Sequence, residues 1–243
     1  MLRMEKSQKN KLVLEVIACS VADAIEAEKG GANRLELISH FEVGGLTPPT
    51  ELVREILAAV RIPVRVMLRE NEGYAVSGEA ELEKLCAAAR EIAGLKVDGL
   101  VLGFLSDGAP DFDPMKRILA CAPSLKATFH HAFDEASDPI EVINGLKQLG
   151  QVDLILTSGG GGDWSQKITL LADYQLNAAP GISILVGGGV NAQVIGLIRR
   201  ETSIQEFHVG SAARIPPNSN GHVEAGRVRE LVRSLELRSD KMD

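Results

Sequence analysis

Apolar, β-branched runs of about five residues alternate along the chain with longer stretches in which apolar positions recur every three to four residues. The short runs predict buried strands and the longer ones amphipathic helices. Eight strands are predicted, at Leu12–Ala18, Arg34–Ile38, Val64–Leu68, Gly99–Gly103, Lys126–His130, Asp153–Leu156, Ser183–Val186 and Glu206–Val209, each followed by helix-period sequence. Helix starts carry capping signals: Ser20 before VADAIEAEKGG, Pro48 and Pro49 before TELVREILAAV, and Asp138-Pro139 before IEVINGLKQLG. Gly30, Gly94 and Gly150 mark expected helix ends. Alternating βα units read as an α/β protein with a parallel sheet. Eight of them in 243 residues predict a TIM-barrel-like (β/α)8 single domain, with a doubly wound open sheet as the alternative. The domain is expected over residues 12–238, with residues 1–11 and the last few as frayed ends.

Two strands break the apolar rule in the same way. Glu15 sits inside LVLEVIA and Glu36 inside RLELI. A buried carboxylate must be paired, protonated or turned to a polar cavity. Period-two alternation places Glu15, Ile17 and Cys19 on one side of the first strand and Arg34, Glu36 and Ile38 on one side of the second. The same alternation groups Arg65, Met67 and Arg69, then Thr128 with His130, then Glu206 with His208. In a closed barrel the charged sides face inward, and strand eight neighbours strand one. His208, Glu15, Glu36 and Arg69 should then form a polar arc, faced by His130 across the mouth where barrels carry their chemistry. Two carboxylates, an arginine and two histidines supply an acid, a base and an anion clamp. Glu-Arg layers that merely satisfy each other are the competing structural reading.

Glycine clusters follow the later strands: LTSGGGG after strand six, LVGGGV after strand seven and FHVGSAAR along strand eight. Glycine lets backbone N–H groups approach an anion, and the loops after strands seven and eight are the customary phosphate site of such barrels. Ser158, Gly159, Gly187, Gly188, Gly189, Gly210 and Ser211 are the candidate anion-binding residues, and Arg214 either closes that pocket or lies on the surface.

A net charge of −7 without a basic patch argues against nucleic acid and anionic membrane surfaces as partners. No apolar run approaches a membrane span and the basic N-terminal segment lacks a signal-peptide core, so a cytoplasmic location is expected. Cys19, Cys86 and Cys121 are an odd set without C-x-x-C spacing, which gives no disulfide framework or zinc site. Cys86 and Cys121 read as packing on helical faces, leaving Cys19 as the one cysteine with a chemical candidacy.

The strings ANRLELI, GGLTP, VMLR, DGLVLG, TFHHAFD, LTSGG, GGGV and EFHVGSAAR, in that order, resemble the CutC copper-homeostasis family over nearly the whole chain. That resemblance implies a cytoplasmic TIM-barrel-like protein that forms a homodimer or larger homo-oligomer and is associated with copper. Copper is the only cofactor so implied. Where the family often reads E-V-C and E-L-C, this chain carries Ile17 and Ile38, so the implied thiolates are absent and direct copper(I) binding is not expected. The family's second arginine in the VMLR segment is missing, and His131 replaces an arginine in TFHHAFD. Three functions follow: a copper-associated protein, an enzyme of lyase, isomerase or hydrolase type acting on a small anionic or phosphorylated metabolite, or a barrel without chemistry. For the enzyme, Glu15 or Glu36 is the expected base, His130 the acid, Arg69 the clamp and His208 part of the same site.

Overall fold

A computed structural model of the protein describes residues 12–236, and the loose ends expected at residues 1–11 and after 238 lie outside the described residues. The eight expected strands are all present: β1 (Val13–Ala18), β2 (Arg34–Leu37), β3 (Val64–Met67), β4 (Gly99–Leu102), β5 (Lys126–Phe129), β6 (Val152–Thr157), β7 (Ser183–Val186) and β8 (Glu206–Val209). Each pairs in parallel with the next, and β8 pairs with β1, which closes the sheet into a barrel and removes the open-sheet alternative. Among the described residues eight α-helices surround it: α1 (Val21–Gly30), α2 (Thr50–Ala59), α3 (Glu79–Ala93), α4 (Phe112–Cys121), α5 (Pro139–Leu146), α6 (Trp164–Ala178), α7 (Ala192–Glu201) and α8 (Ala225–Glu236).

The caps act as expected. Ser20 accepts from the Asp23 amide, Asp138 accepts from the Ile140 and Glu141 amides with Pro139 in the first turn, and Asn191 caps α7. Asp163 and Gln166 form a reciprocal capping box on α6. One expected stop is misplaced. α5 ends at Leu146, where a tight turn from Leu146 O to the Leu149 amide takes over, so Gly150 lies in the connection and not at a helix end.

Alternation divides the strands as their period requires. Leu14, Val16, Leu35, Leu37, Val66, Leu100, Phe129, Ile155, Val186 and Phe207 point outward and are buried against the helices in one continuous core. The barrel interior holds two smaller apolar clusters, Ile17 with Ile38, Met67 and Val101, and Leu154 with Leu156 and Leu185. Below them lies a floor of paired ions. Arg34 binds Glu15 and reaches Glu206 at 2.9 Å, while Arg65 holds both oxygens of Asp153 at 2.7 Å, Asp98 at 3.1 Å and the Thr128 hydroxyl at 2.7 Å. Arg65 is 1 % exposed, so this bidentate geometry is what makes a buried guanidinium tolerable. No helix among the described residues is long and apolar enough to cross a membrane.

Candidate active site at the barrel mouth

The ion floor sets the position of the first site residues. Glu15 lies opposite both Arg34 on β2 and His208 on β8, and it is 1 % exposed. One oxygen accepts from Arg34 Nε, and the other accepts from His208 Nδ1 at 2.8 Å. Burial opposes its charge, but the Arg34 guanidinium and His208 outweigh that and hold its carboxyl well below the usual range. His208 is pulled the other way. Burial disfavours its charge, yet the Glu36 and Glu15 carboxylates raise its pKa. Its Nε2 stands 3.7 Å from Glu36 Oε2.

Glu36 completes the row Glu15, His208, Glu36, with a different character. Its Oε1 is buried and has no hydrogen-bond partner among the described residues. Burial raises its pKa, His208 opposes the rise and the Glu15 charge adds to it. The two glutamates that look alike in sequence are therefore an anchored carboxylate and one whose burial favours its protonated form.

Glu36 faces a cavity of about 230 Å³ at the C-terminal mouth, lined by His130, His208, Ile17, Met67, Phe41 and Tyr74 among others. His130 is buried at the exit of β5, and a Cβ on Gly103 would come within 2.9 Å of its Nδ1, so glycine at 103 makes room for the ring. Nδ1 accepts from the Ala132 amide at 3.2 Å, which places the proton of the neutral ring on Nε2. That Nε2 is buried and unpartnered. Burial, with the Arg69 charge adding, pushes the pKa down to about 3, so His130 is a neutral hydrogen-bond donor and not the proton-releasing acid expected from sequence.

Arg69 is also reassigned. Its guanidinium donates to the carbonyls of Val43, Gly45, Glu72 and Gly73 and packs 4.9 Å from the Tyr74 ring centre, which in turn lies 5.2 Å from the His130 ring. With four of its five N–H donors on carbonyls, Arg69 ties two mouth loops together.

The glycine loops divide in two. The Ser158 amide is spent on Asp134 and the Gly159 amide on the Thr157 hydroxyl, so neither is available to a ligand in the cavity. The Gly187 amide pairs with Thr157 O. Gly188 and Gly189 take φ of 72° and 90°, which glycine alone adopts without strain, and the amides of Gly188, Gly189, Val190, Ser211 and Ala212 find no acceptor among the described residues. All five residues border the cavity, together with Gly210, over which Phe41 packs so closely that a Cβ there would lie 2.4 Å from Cζ. Arg214 neither closes this pocket nor lies on the surface. It is 2 % exposed and bonds Asp23 and Ile17 O at 3.1 Å and Gly221 O at 2.6 Å, pinning Gly221 to β1 and α1.

The whole chain can now be set beside known proteins. Residues 12–213 match the model of the CutC family. The chain belongs to the CutC family. A CutC protein of Xylella fastidiosa is 35% identical over 236 residues, covering 91% of this chain and 88% of the relative, and one of Parabacteroides distasonis is 36% identical over 203 residues, covering 83% of each. The solved structure of CutC from Streptococcus agalactiae, which is described as a copper homeostasis protein, aligns with a TM-score of 0.75 at 30% identity over 82% of this chain and 98% of that one.

The copper association was tested against the donors present. Glu15, Glu36 and His208 bring one ligand atom each within 4.8 Å of one another. Both Glu15 oxygens and His208 Nδ1 are already committed, however, and the set holds no sulfur. Cys19 offers no thiolate: burial pushes its pKa up to about 11, and its Sγ lies 3.6 Å from Arg214 Nη2. Ile17, Ile38 and Met67 meet in an apolar cluster with one thioether among them. These residues do not fit copper(I).

Sequence reasoning missed Tyr74, Phe41 and Asp134 and gave His131 no role. A signal existed for the last two: the His-x-x-Asp spacing in HHAFD puts Asp134 one turn from His131.

Proposed function

We propose that this CutC-family protein performs acid–base chemistry on a small anionic metabolite at the barrel mouth. The observation that carries the reading is that Glu36 Oε1 and His130 Nε2, both buried and both unpartnered, border one cavity. Leaving two such atoms without partners costs about 1–3 kcal/mol each. A ligand that accepts from His130 and meets Glu36 removes that cost. Glu36, with its raised pKa and His208 behind it, is the proton-transferring group. His130, held neutral with its Nε2–H aimed at the ligand, stabilises negative charge that develops on a substrate oxygen. The unpartnered amides of Gly188, Gly189, Val190, Ser211 and Ala212 suit a phosphate or carboxylate on the same molecule. A cavity of about 230 Å³ restricts the ligand to a compact metabolite.

Thermal-shift screening with inorganic phosphate and compact phosphorylated and carboxylated metabolites tests this. A ligand at a hundredfold its Kd adds about 2.7 kcal/mol, or roughly 5–10 °C for a chain of this size. Glu36→Gln should keep the ligand-induced shift and lose turnover. No shift with any anion, or unchanged turnover in the variant, defeats the proposal.

A further inference from the structure

His131 and Asp134 form a second proton-carrying unit on the wall of the same cavity. His131 opens the short turn His131–Glu135 that follows β5, and Asp134 lies in that turn. His131 Nδ1 stands 2.9 Å from Asp134 Oδ2. Asp134 is fixed from behind: its Oδ1 accepts from the Thr157 hydroxyl, and the Ser158 amide lies 2.9 Å from Oδ2 and 3.2 Å from Oδ1. Burial alone would raise the Asp134 pKa, but the bonds from His131, Thr157 and Ser158 lower it, so it is a carboxylate that only accepts. An imidazole bonded to such an acceptor through Nδ1 must carry its proton there. Neutral His131 therefore keeps a lone pair on Nε2.

Its neighbour shows the opposite arrangement. His130 accepts at Nδ1 and carries its proton on Nε2. Consecutive histidines thus offer one lone pair and one N–H to a single cavity, both lining it. A Cβ built on Gly187 would lie 3.4 Å from His131 Nε2 and 3.2 Å from Cδ2 of His208, so the His131 nitrogen reaches in toward the Glu36–His208 row.

We propose that His131, positioned by Asp134, is the general base of this site, acting on a carbonyl-containing small anion that carries an acidic C–H beside the carbonyl. This rests on the acid–base reading above and narrows its substrate class. In the step, His131 Nε2 takes the proton from carbon, the C–H electron pair forms the enolate C=C, and the carbonyl π pair moves to oxygen. His130 Nε2–H hydrogen-bonds that oxygen and Glu36 delivers a proton to it, which leaves the enol, a protonated His131 and an ionised Glu36. Two proton carriers with a donor beside them suit proton transfer through that enol.

Imidazole 15N NMR of the full chain reads the tautomers directly. The neutral rings of His130 and His131 should show opposite tautomers, and Asp134→Asn should leave His131 as a mixture while His130 is unchanged. A wild-type His131 protonated on Nε2 overturns the proposal. The second measurement uses 2-phosphoglycolate, whose carboxylate has the shape of an enediolate and must be met by a protonated base. Its affinity should fall by up to about tenfold per pH unit as the pH is raised, the signature of one proton taken up on binding. His131 is faced by Asp134 and Glu135 of its own turn, Lys167 of α6, Tyr74 of the loop after β3, and the Glu36–His208 row. Glu36→Gln is therefore measured in parallel. The slope should survive in Glu36→Gln and flatten in His131→Gln, whose half-exposed position makes misfolding no obstacle. A full slope in His131→Gln removes the base role and leaves the pocket reading standing. Failure of wild type to bind both inorganic phosphate and 2-phosphoglycolate removes both.

Discussion

Glu15 and Glu36 are the same residue type on adjacent strands, 1 % and 2 % exposed, yet replacing each with glutamine should have opposite consequences. Glu15 accepts from Arg34 through one oxygen and from His208 through the other. An amide has one accepting oxygen, and its NH2 must then face an N–H. Breaking a buried pair of this kind costs about 3–5 kcal/mol, and the lower end applies because Arg34 keeps Glu206 at 2.9 Å. At a urea dependence of about 2 kcal/mol per molar, a loss of about 3 kcal/mol lowers the midpoint by roughly 1.5 M. Glu36 has an oxygen that bonds nothing and a charge that burial disfavours, so Glu36→Gln should leave stability within about 1 kcal/mol, on the stabilising side at neutral pH. The pH dependence separates them further. The folded pKa of Glu15 lies below its unfolded value of 4.5, so its stabilisation is complete above that pH and fades as pH falls toward the folded value. The folded pKa of Glu36 lies above 4.5, so the cost of its ionisation is absent below 4.5 and grows as pH rises from there toward the folded value. The gain in Glu36→Gln should therefore appear only above about pH 4.5, while the loss in Glu15→Gln persists at pH 5. Equal urea midpoints for the two variants at pH 7 would refute the division into an anchored glutamate and one whose charge burial disfavours.

Arg69→Lys should destabilise by about 2 kcal/mol, because an ammonium cannot satisfy the four carbonyls that the guanidinium holds. Hydrogen exchange should quicken at Val43–Gly45 and Glu72–Gly73, and unchanged exchange there would show that Arg69 does not tie the loops. Wild type should hold copper(I) more weakly than about micromolar, near −8 kcal/mol, in competition with a chromophoric chelator. The pair Ile17→Cys with Ile38→Cys, which places two thiols beside Met67, should tighten binding by tenfold or more. Wild-type affinity equal to that of the pair would restore copper as a ligand of this chain.

The barrel was legible because its signals are local. Each strand is short and apolar, each helix has its own period, and caps such as Ser20, Asp138 and Asn191 act within three residues of themselves. Inward charge on β1, β2, β3 and β8 was equally readable, since period-two alternation needs only the strand itself. What the neighbours do to a charge was not readable. Nothing within the segments around Glu15 and Glu36 says that Arg34 spends its Nε on the first and leaves the second alone. Arg69 looks like a free cation in VMLR because the carbonyls that occupy it come from two loops, one of them 24 to 26 residues away. Arg214 was misjudged for the same reason, its partner Asp23 lying 191 residues distant. The tautomers of His130 and His131 depend on a backbone amide two residues on in one case and a carboxylate three residues on in the other. Those spacings are short enough to be sought in other sequences.

The vertical order of the interior connects stability to chemistry. The floor spends its charges on one another: Arg65 on Asp153, Asp98 and Thr128, and Arg34 on Glu15 and Glu206. A contact passes upward from Glu15 to His208, and it turns that imidazole toward Glu36. Above this level the polar atoms stop pairing. Glu36 Oε1 and His130 Nε2 have no protein partner among the described residues, although hydrophobic side chains at those two positions would avoid the cost, and the amides after β7 and β8 are likewise without a protein acceptor. A barrel kept only for its stability would have no reason to hold paired ions at one depth and orphaned groups at the next. The transition occurs within one side-chain layer and at the end of the strands where substituents from all eight converge, which is where a ligand would supply the missing partners.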